Sequence, residues 1–267
     1  MCLNAEPWHV IDKSLYGLPG IAFGGYVGGL LAAELDCDTK VDFHAPTPLK
    51  TQLEIRRGHG RVDVFAADVL VATASPHRLD LEPPRLPDWD EACCAVDEYL
   101  QKAPITHPDC FGCGPDRRSD SGLRIFTGLT EPGDLVAAAW QPPADFGGRR
   151  GEHLPLEFVW SALDCPGAWA RRRIVQSDRR ALTAYLAAAI TRPVRVDEPH
   201  VVIGWLQSAS GRKSLVGSAI VNKHQEVCAI AEALWVERSL SQASPGHDLT
   251  AANHVDDSSL TTERNPR

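Results

Sequence analysis

The sequence predicts an α+β protein made of two similar lobes, and three observations carry that prediction. An apolar, glycine-rich helical stretch at Ile21–Asp36 is followed by a series of strand-like runs. The same order recurs about 120 residues later, a spacing far beyond solenoid periods and so the mark of a duplicated unit. Between the copies lies a proline-dense stretch carrying Pro83, Pro84, Pro87, Pro104 and Pro108. Within 267 residues this gives a first domain at 1–82, a linker at 83–108, a second domain at 109–238 and a disordered tail at 239–267.

In the first lobe, the helix at Ile21–Asp36 holds Gly24, Gly25, Gly28 and Gly29 at i, i+4 spacing. Each glycine costs about 1 kcal/mol of helix propensity, so the bare surface serves close packing or a ligand. Strands are expected at Gln52–Arg57, Arg61–Ala67 and Val69–Ser75, turning at Gly58 and Gly60. The linker has one helical segment, around Glu91–Gln101. The second lobe opens with a strand at Leu135–Gln141 and a helix at Leu154–Arg171, on which Leu156, Val159, Trp160, Leu163 and Gly167 form one stripe. Strands at Ala181–Ile190, His200–Ser208, Ser214–Val221 and Val227–Val236 complete it. The tail from Ser239 is rich in Ser, Thr, Asp, Asn and His and has no apolar period.

Composition narrows the function. A net charge of −8 without a long basic cluster lacks the footprint of nucleic-acid binding and of anionic membranes. Eight cysteines are too dilute for a disulfide scaffold, and Ile21–Leu35 falls short of the ~20 apolar residues that span a bilayer. The expectation is a cytoplasmic protein acting on a small molecule. Cys110-x-x-Cys113 has no second CxxC and Cys93-Cys94 is poorly spaced for a metal, so the motif reads as a turn. His153 and Glu157 are i, i+4 but lack an HExxH pattern, and no metal site is expected. Arg171-Arg172-Arg173 and Arg179-Arg180 either bind phosphates or complement a helix C-terminus.

Four stretches resemble the double hotdog proteins of the acyl-CoA thioesterase-like superfamily: Ala22-Phe23-Gly24-Gly25-Tyr26, Cys110-Phe111-Gly112-Cys113-Gly114-Pro115 with Gly122-Leu123, Ala162-Leu163-Asp164, and Thr183 through Arg192-Pro193. The resemblance implies two tandem hotdog domains, each a long central helix wrapped by a curved antiparallel sheet. It also implies thioester hydrolysis on an acyl-CoA or acyl-carrier substrate, with coenzyme A entering only as part of the substrate and no other cofactor. The expected assembly is a homo-oligomer, a dimer of double hotdogs.

Such chemistry needs a carboxylate for water or the thioester carbon, and donors for the developing oxyanion. Lobe two supplies Asp164 as base or nucleophile, with Thr183 on the following strand as orienter. Lobe one supplies Gly24, Gly25 and Tyr26 at a helix start, with the Gly25 and Tyr26 N–H groups as oxyanion donors. Lobe one has Ala32 and Ala33 at its own acid position, and lobe two has His153-Leu154-Pro155 at its helix start, so one composite site per chain is expected. His153, Glu232 and Arg192 are further substrate-binding candidates. The related thioesterases add a Gln to the Asp and Thr; Glu232 or Ala233 stands near that position, and strand alternation turns Glu232 outward in one of its two readings. Two rival functions follow: a dehydratase or hydratase on acyl thioesters, and a non-catalytic acyl-binding protein.

Overall fold

In the computed structural model, which describes residues 8–105, 107–147, 152–177 and 179–237, eleven strands join in one sheet. Along the chain the elements are β1 (Trp8–Val10), β2 (Tyr16–Leu18), β3 (Ile21–Ala22), α1 (Gly24–Ala32), β4 (Thr39–Phe43), β5 (Gln52–Gly58), β6 (Arg61–Ala66) and β7 (Val69–Pro76). There follow α2 (Trp89–Lys102), β8 (Gly128–Leu129), β9 (Leu135–Trp140), α3 (Ala144–Gly147), α4 (Leu156–Ile174), β10 (Ala181–Ile190), β11 (His200–Ser210), β12 (Lys213–Asn222) and β13 (Val227–Glu237). The tail expected from residue 239 lies outside the described residues.

The strand order is β1-β5-β6-β7-β4-β10-β13-β12-β11-β9-β8, antiparallel throughout. The first five strands in that order come from residues 8–76 and the other six from residues 128–237. They meet at one seam, where Asp42, Val41, Lys40 and Thr39 of β4 pair with Tyr185, Leu186, Ala187 and Ala188 of β10. Strand alternation then sorts side chains between two faces. Ala229, Ala231 and Ala233 of β13 join the main core with α1 and α4, while Ile230 joins a second cluster on the other face.

The expected helix at Ile21–Asp36 is shorter than its apolar run. Ile21 and Ala22 pair with β2 instead, and α1 spans nine residues. Its shortness follows from four glycines and from the need to enter β4 extended, where the Thr39 hydroxyl bonds the Cys37 carbonyl at 2.9 Å. By contrast α4 runs for 19 residues, straight through Pro166. The two helices touch backbone to backbone. A Cβ on Gly25 would come within 2.7 Å of Ser161 Cα, and one on Gly29 within 2.3 Å of Glu157 Cα. The glycines therefore serve contact between helices from the two halves.

The stretch 83–108 holds the expected helix, α2. Asp88 caps it by accepting the Glu91 N–H at 2.8 Å, and acidic residues open it while Lys102 closes it. Ala92 and Ala95 of α2 cover the outer face of the sheet with Leu135, Ala137, Ile203 and Trp205. Among the described residues no helix is long and apolar enough to cross a membrane.

Candidate active site

Asp164 stands in the middle of α4, on the side that meets the start of α1. The turn around it is loosened by Pro166, which has no N–H for the Ala162 carbonyl. The Leu163 carbonyl accepts the Ser218 hydroxyl of β12 at 2.7 Å, which ties this turn to the sheet. Only 5% of Asp164 is exposed. Its Oδ2 accepts the Gly25 N–H at 3.0 Å, and its Oδ1 accepts the Thr183 hydroxyl at 3.4 Å. Gly24 lies beside it: a Cβ there would sit 3.3 Å from Oδ2.

The local sequence explains the arrangement. Phe23 is extended and α1 begins at Gly24, so the Gly25 N–H belongs to the first turn, where no carbonyl of the helix can accept it. The carboxylate takes that place and meets the positive end of the helix dipole. Burial nonetheless dominates, lifting the Asp164 carboxyl from 3.8 to about 6. The bonds from Gly25 and Thr183 favour the charged form and offset part of the shift, while negative charge on the nearby Cys110 sulfur adds to it. The result is a carboxyl group that changes charge just below neutral pH.

Gly24, Gly25, Asp164 and Thr183 are thus brought together from α1, α4 and β10. Tyr26 adjoins them on α1, with its ring 5.7 Å from that of Phe158. The expected role of Gly25 as oxyanion donor is altered, since its N–H is already held by Asp164. The first-turn N–H groups of Gly24 and Tyr26 likewise find no i−4 carbonyl within the helix.

Three sequence candidates stand elsewhere. Glu232 lies on the outer face of the sheet, where it accepts the Tyr185 hydroxyl at 2.6 Å and the Gln207 amide at 3.3 Å. The alternation that buries Ala231 and Ala233 under the helices turns Glu232 away from them. His153 is exposed ahead of α4 in a bridge with Arg195, and the helix itself puts about 12 Å between Leu156 and Asp164. Arg192 is exposed past the far end of β10, paired with Glu226 at 3.3 Å; nine residues of strand from Thr183 amount to about 30 Å. Of the arginine cluster, Arg171 is buried against Glu237 at 2.5 Å and Arg173 holds Glu98 at 2.5 Å. Both are committed to internal acids.

Two features escaped the sequence reading. Trp235 lies opposite Thr183 in the β10–β13 ladder, and its indole nitrogen falls 3.3 Å from where a Cβ of Gly167 would be, one turn beyond Asp164. That buried N–H has no hydrogen-bond partner among the described residues. Cys165, beside Asp164 in sequence, gathers with Cys110 and Cys113. Cross-strand pairing and a contact across more than fifty residues have no local signature.

No protein-family description matches this chain, and no curated protein matches it. Solved structures do. The tesB protein of Mycobacterium avium subs paratuberculosis aligns at 15% identity over 84% of this chain and 91% of its own, with a TM-score of 0.56. A protein of Novosphingobium aromaticivorans DSM 12444, provisionally called a thioesterase, aligns at 14% identity over 87% and 95%, with a TM-score of 0.59. A conserved protein of unknown function with hot dog fold from Alicyclobacillus acidocaldarius aligns at 12% identity over 85% and 91%, with a TM-score of 0.53. Likeness at such identities establishes the fold, and the fold is the hot dog fold.

Proposed function

We propose that this hot dog protein is a tandem pair of hot dog units that hydrolyses an acyl thioester, with coenzyme A or an acyl carrier as the thiol. One observation supports this above the rest: a buried carboxyl group lies against a helix N-terminus contributed by the other half of the chain, with a hydroxyl on its second oxygen. Asp164 in its ionised form takes a proton from water as the water oxygen attacks the thioester carbon. The C–S bond breaks, the acyl group leaves as the acid, and the proton passes to the departing thiolate. A positioned base of this kind contributes about 10²–10⁴-fold. The Thr183 hydroxyl orients the carboxylate, and the Trp235 indole N–H, which lies across the ladder from Thr183 and lacks a partner among the described residues, is the donor assigned to the water in place of the absent Gln. The carbonyl oxygen of the substrate is assigned to the first-turn N–H groups of α1 at Gly24 and Tyr26.

A second reading, an acyl-binding protein without turnover, draws on the outward position of Glu232 and on the Gly25 N–H already being taken by Asp164. Thiol release from short, medium, long and aromatic acyl-CoAs, with wild type beside Asp164→Asn, separates the two. Hydrolysis that falls at least 100-fold in the variant supports the assignment. Equal hydrolysis by both proteins refutes Asp164 as the base. Binding of acyl-CoA without release refutes the hydrolase and leaves the binder.

A further inference from the structure

Cys110, Cys113 and Cys165 are all buried, and their sulfur atoms lie within 4.8 Å of one another. Two come from the loop ahead of the second lobe and the third from the middle of α4. The loop is held firmly. The Phe111 N–H bonds the Tyr16 carbonyl of β2 at 2.9 Å, the Ile125 N–H bonds the Gly112 carbonyl at 2.9 Å, and the Tyr99 hydroxyl bonds the Cys113 carbonyl at 2.7 Å. Gly112 is required for the approach, since a Cβ there would stand 2.6 Å from the Cys165 sulfur. The Trp169 indole N–H donates to the Cys113 sulfur at 3.3 Å. Cysteine pairs buried for packing alone need no such convergence of three sulfurs and a donor.

We propose that these three cysteines bind one thiophilic divalent cation of the zinc type. Three thiolates at about 2.3 Å from one ion lie about 3.8–4 Å apart, so sulfurs already within 4.8 Å of one another close on it with small side-chain movements. Soft sulfur ligands select zinc-like ions over magnesium or calcium. A divalent ion on three thiolates leaves one net negative charge, which the Trp169 N–H meets; a monovalent ion leaves two. Binding releases to the buffer whatever protons the thiols still hold. Three protein ligands leave the fourth tetrahedral position to a donor from outside the protein. The ion joins the loop to α4 one residue from Asp164 and holds that turn in place.

The test uses the full chain, reduced and freed of metal with a chelator, then titrated with zinc against a chromogenic chelator. One zinc per chain by native mass spectrometry is expected, with a thermal midpoint that rises with zinc concentration. Cadmium, used as a probe, should give a thiolate-to-metal charge-transfer band in the ultraviolet whose intensity counts three sulfurs; this needs no variant. Cys110→Ser, Cys113→Ser and Cys165→Ser should each weaken zinc at least 100-fold, while Cys37→Ser and Cys94→Ser leave it unchanged. The inference is overturned if reduced wild type takes up no stoichiometric zinc, or if a folded Cys165→Ser variant binds it as tightly as wild type. It is equally overturned if the purified chain carries a Cys110–Cys113 disulfide that re-forms after reduction in preference to metal. Every readout is binding, so thioester turnover plays no part in the outcome.

Discussion

Replacing Asp164 by Asn should raise the stability of the protein while removing the proposed hydrolytic activity. In the folded chain the carboxyl holds its proton up to about 6 instead of 3.8. The folded state therefore binds that proton about a hundredfold more tightly than the unfolded chain, which corresponds to about 3 kcal/mol. The sign follows from linkage. With the folded value raised, the stabilising contribution is present in full below 3.8 and is lost as pH rises through about 6, so at neutral pH the ionised carboxylate costs the fold the whole amount. Asn fills the same space, offers an oxygen to the Gly25 N–H and an amide N–H to the Thr183 oxygen, and carries no charge. Denaturant titration of reduced, chelator-treated protein should give the variant about 3 kcal/mol more stability at about pH 7.5, shrinking to about 1 kcal/mol at about pH 4.5. The thermal midpoint at the higher pH should rise by about 6 °C or more. A variant that is less stable at neutral pH, or a gain of equal size at both pH values, would refute the picture of a carboxylate held against its own desolvation.

Thioester hydrolysis by reduced, metal-free wild type should show an acid limb near pH 6, kcat/KM falling about tenfold per unit below it because only the ionised Asp164 accepts a proton. Thr183→Val should cost about tenfold in kcat, in keeping with a single long hydrogen bond, and move that limb upward, since a donor to the charged form is gone. Gly25→Ala puts a Cβ 2.7 Å from both Ser161 Cα and the Trp160 carbonyl, so chemical denaturation should register a loss of about 1–3 kcal/mol, against less than about 0.5 kcal/mol for Gly58→Ala, whose Cβ meets nothing within 4 Å. Glu237→Gln leaves Arg171, 4% exposed, without its buried counter-charge and should cost about 3–5 kcal/mol, most of it recovered in an Arg171→Met/Glu237→Leu double variant.

The elements were legible where pattern and length agreed. Ala181–Ile190 emerges as β10 with the boundaries its apolar run predicts, and the helical segment read around Glu91–Gln101 inside the proline-rich stretch emerges as α2, Trp89–Lys102. Gly24, Gly25, Asp164 and Thr183 could be named from short motifs because each is tied to a helix start, a helix turn or a strand. What failed was whatever depends on partners far along the chain. The apolar run Ile21–Asp36 reads as one helix, yet Ile21 and Ala22 pair with Tyr16 and Leu18. Glu232 could be placed on a strand and alternation offered it an outward face, but its neighbours are apolar on both faces, so the choice waits on which face the helices cover. Cys110 and Cys113 read as a turn because their third partner, Cys165, lies on a helix far along the chain.

The two ends of the α1–α4 pair differ in the one group that the proposed chemistry needs. Contacts run from Gly25 against Asp164 to Gly29 against Glu157, so the helices are antiparallel and the pair offers two places for a carboxylate against a helix start. At the first, Asp164 occupies the start of α1. At the second, the start of α4 is pressed onto Gly29, with 2.3 Å between Glu157 Cα and a Cβ position on that glycine. Beyond that contact lies a cleft of about 260 Å³ lined by Ala32, Leu35, Leu156 and Trp160, with Asp36 and Asp38 on its wall. Ala32 and Leu156 in place of a buried acid spare the fold a second desolvation cost of about 3 kcal/mol. The same relief was open to the first end, where Asn or Leu would have removed the charge. A carboxylate kept at one end and dispensed with at the other is not explained by packing, because packing favours its loss at both. Among the described residues Asp164 accepts hydrogen bonds from a helix start and a hydroxyl, the arrangement that the proposed role as a base calls for.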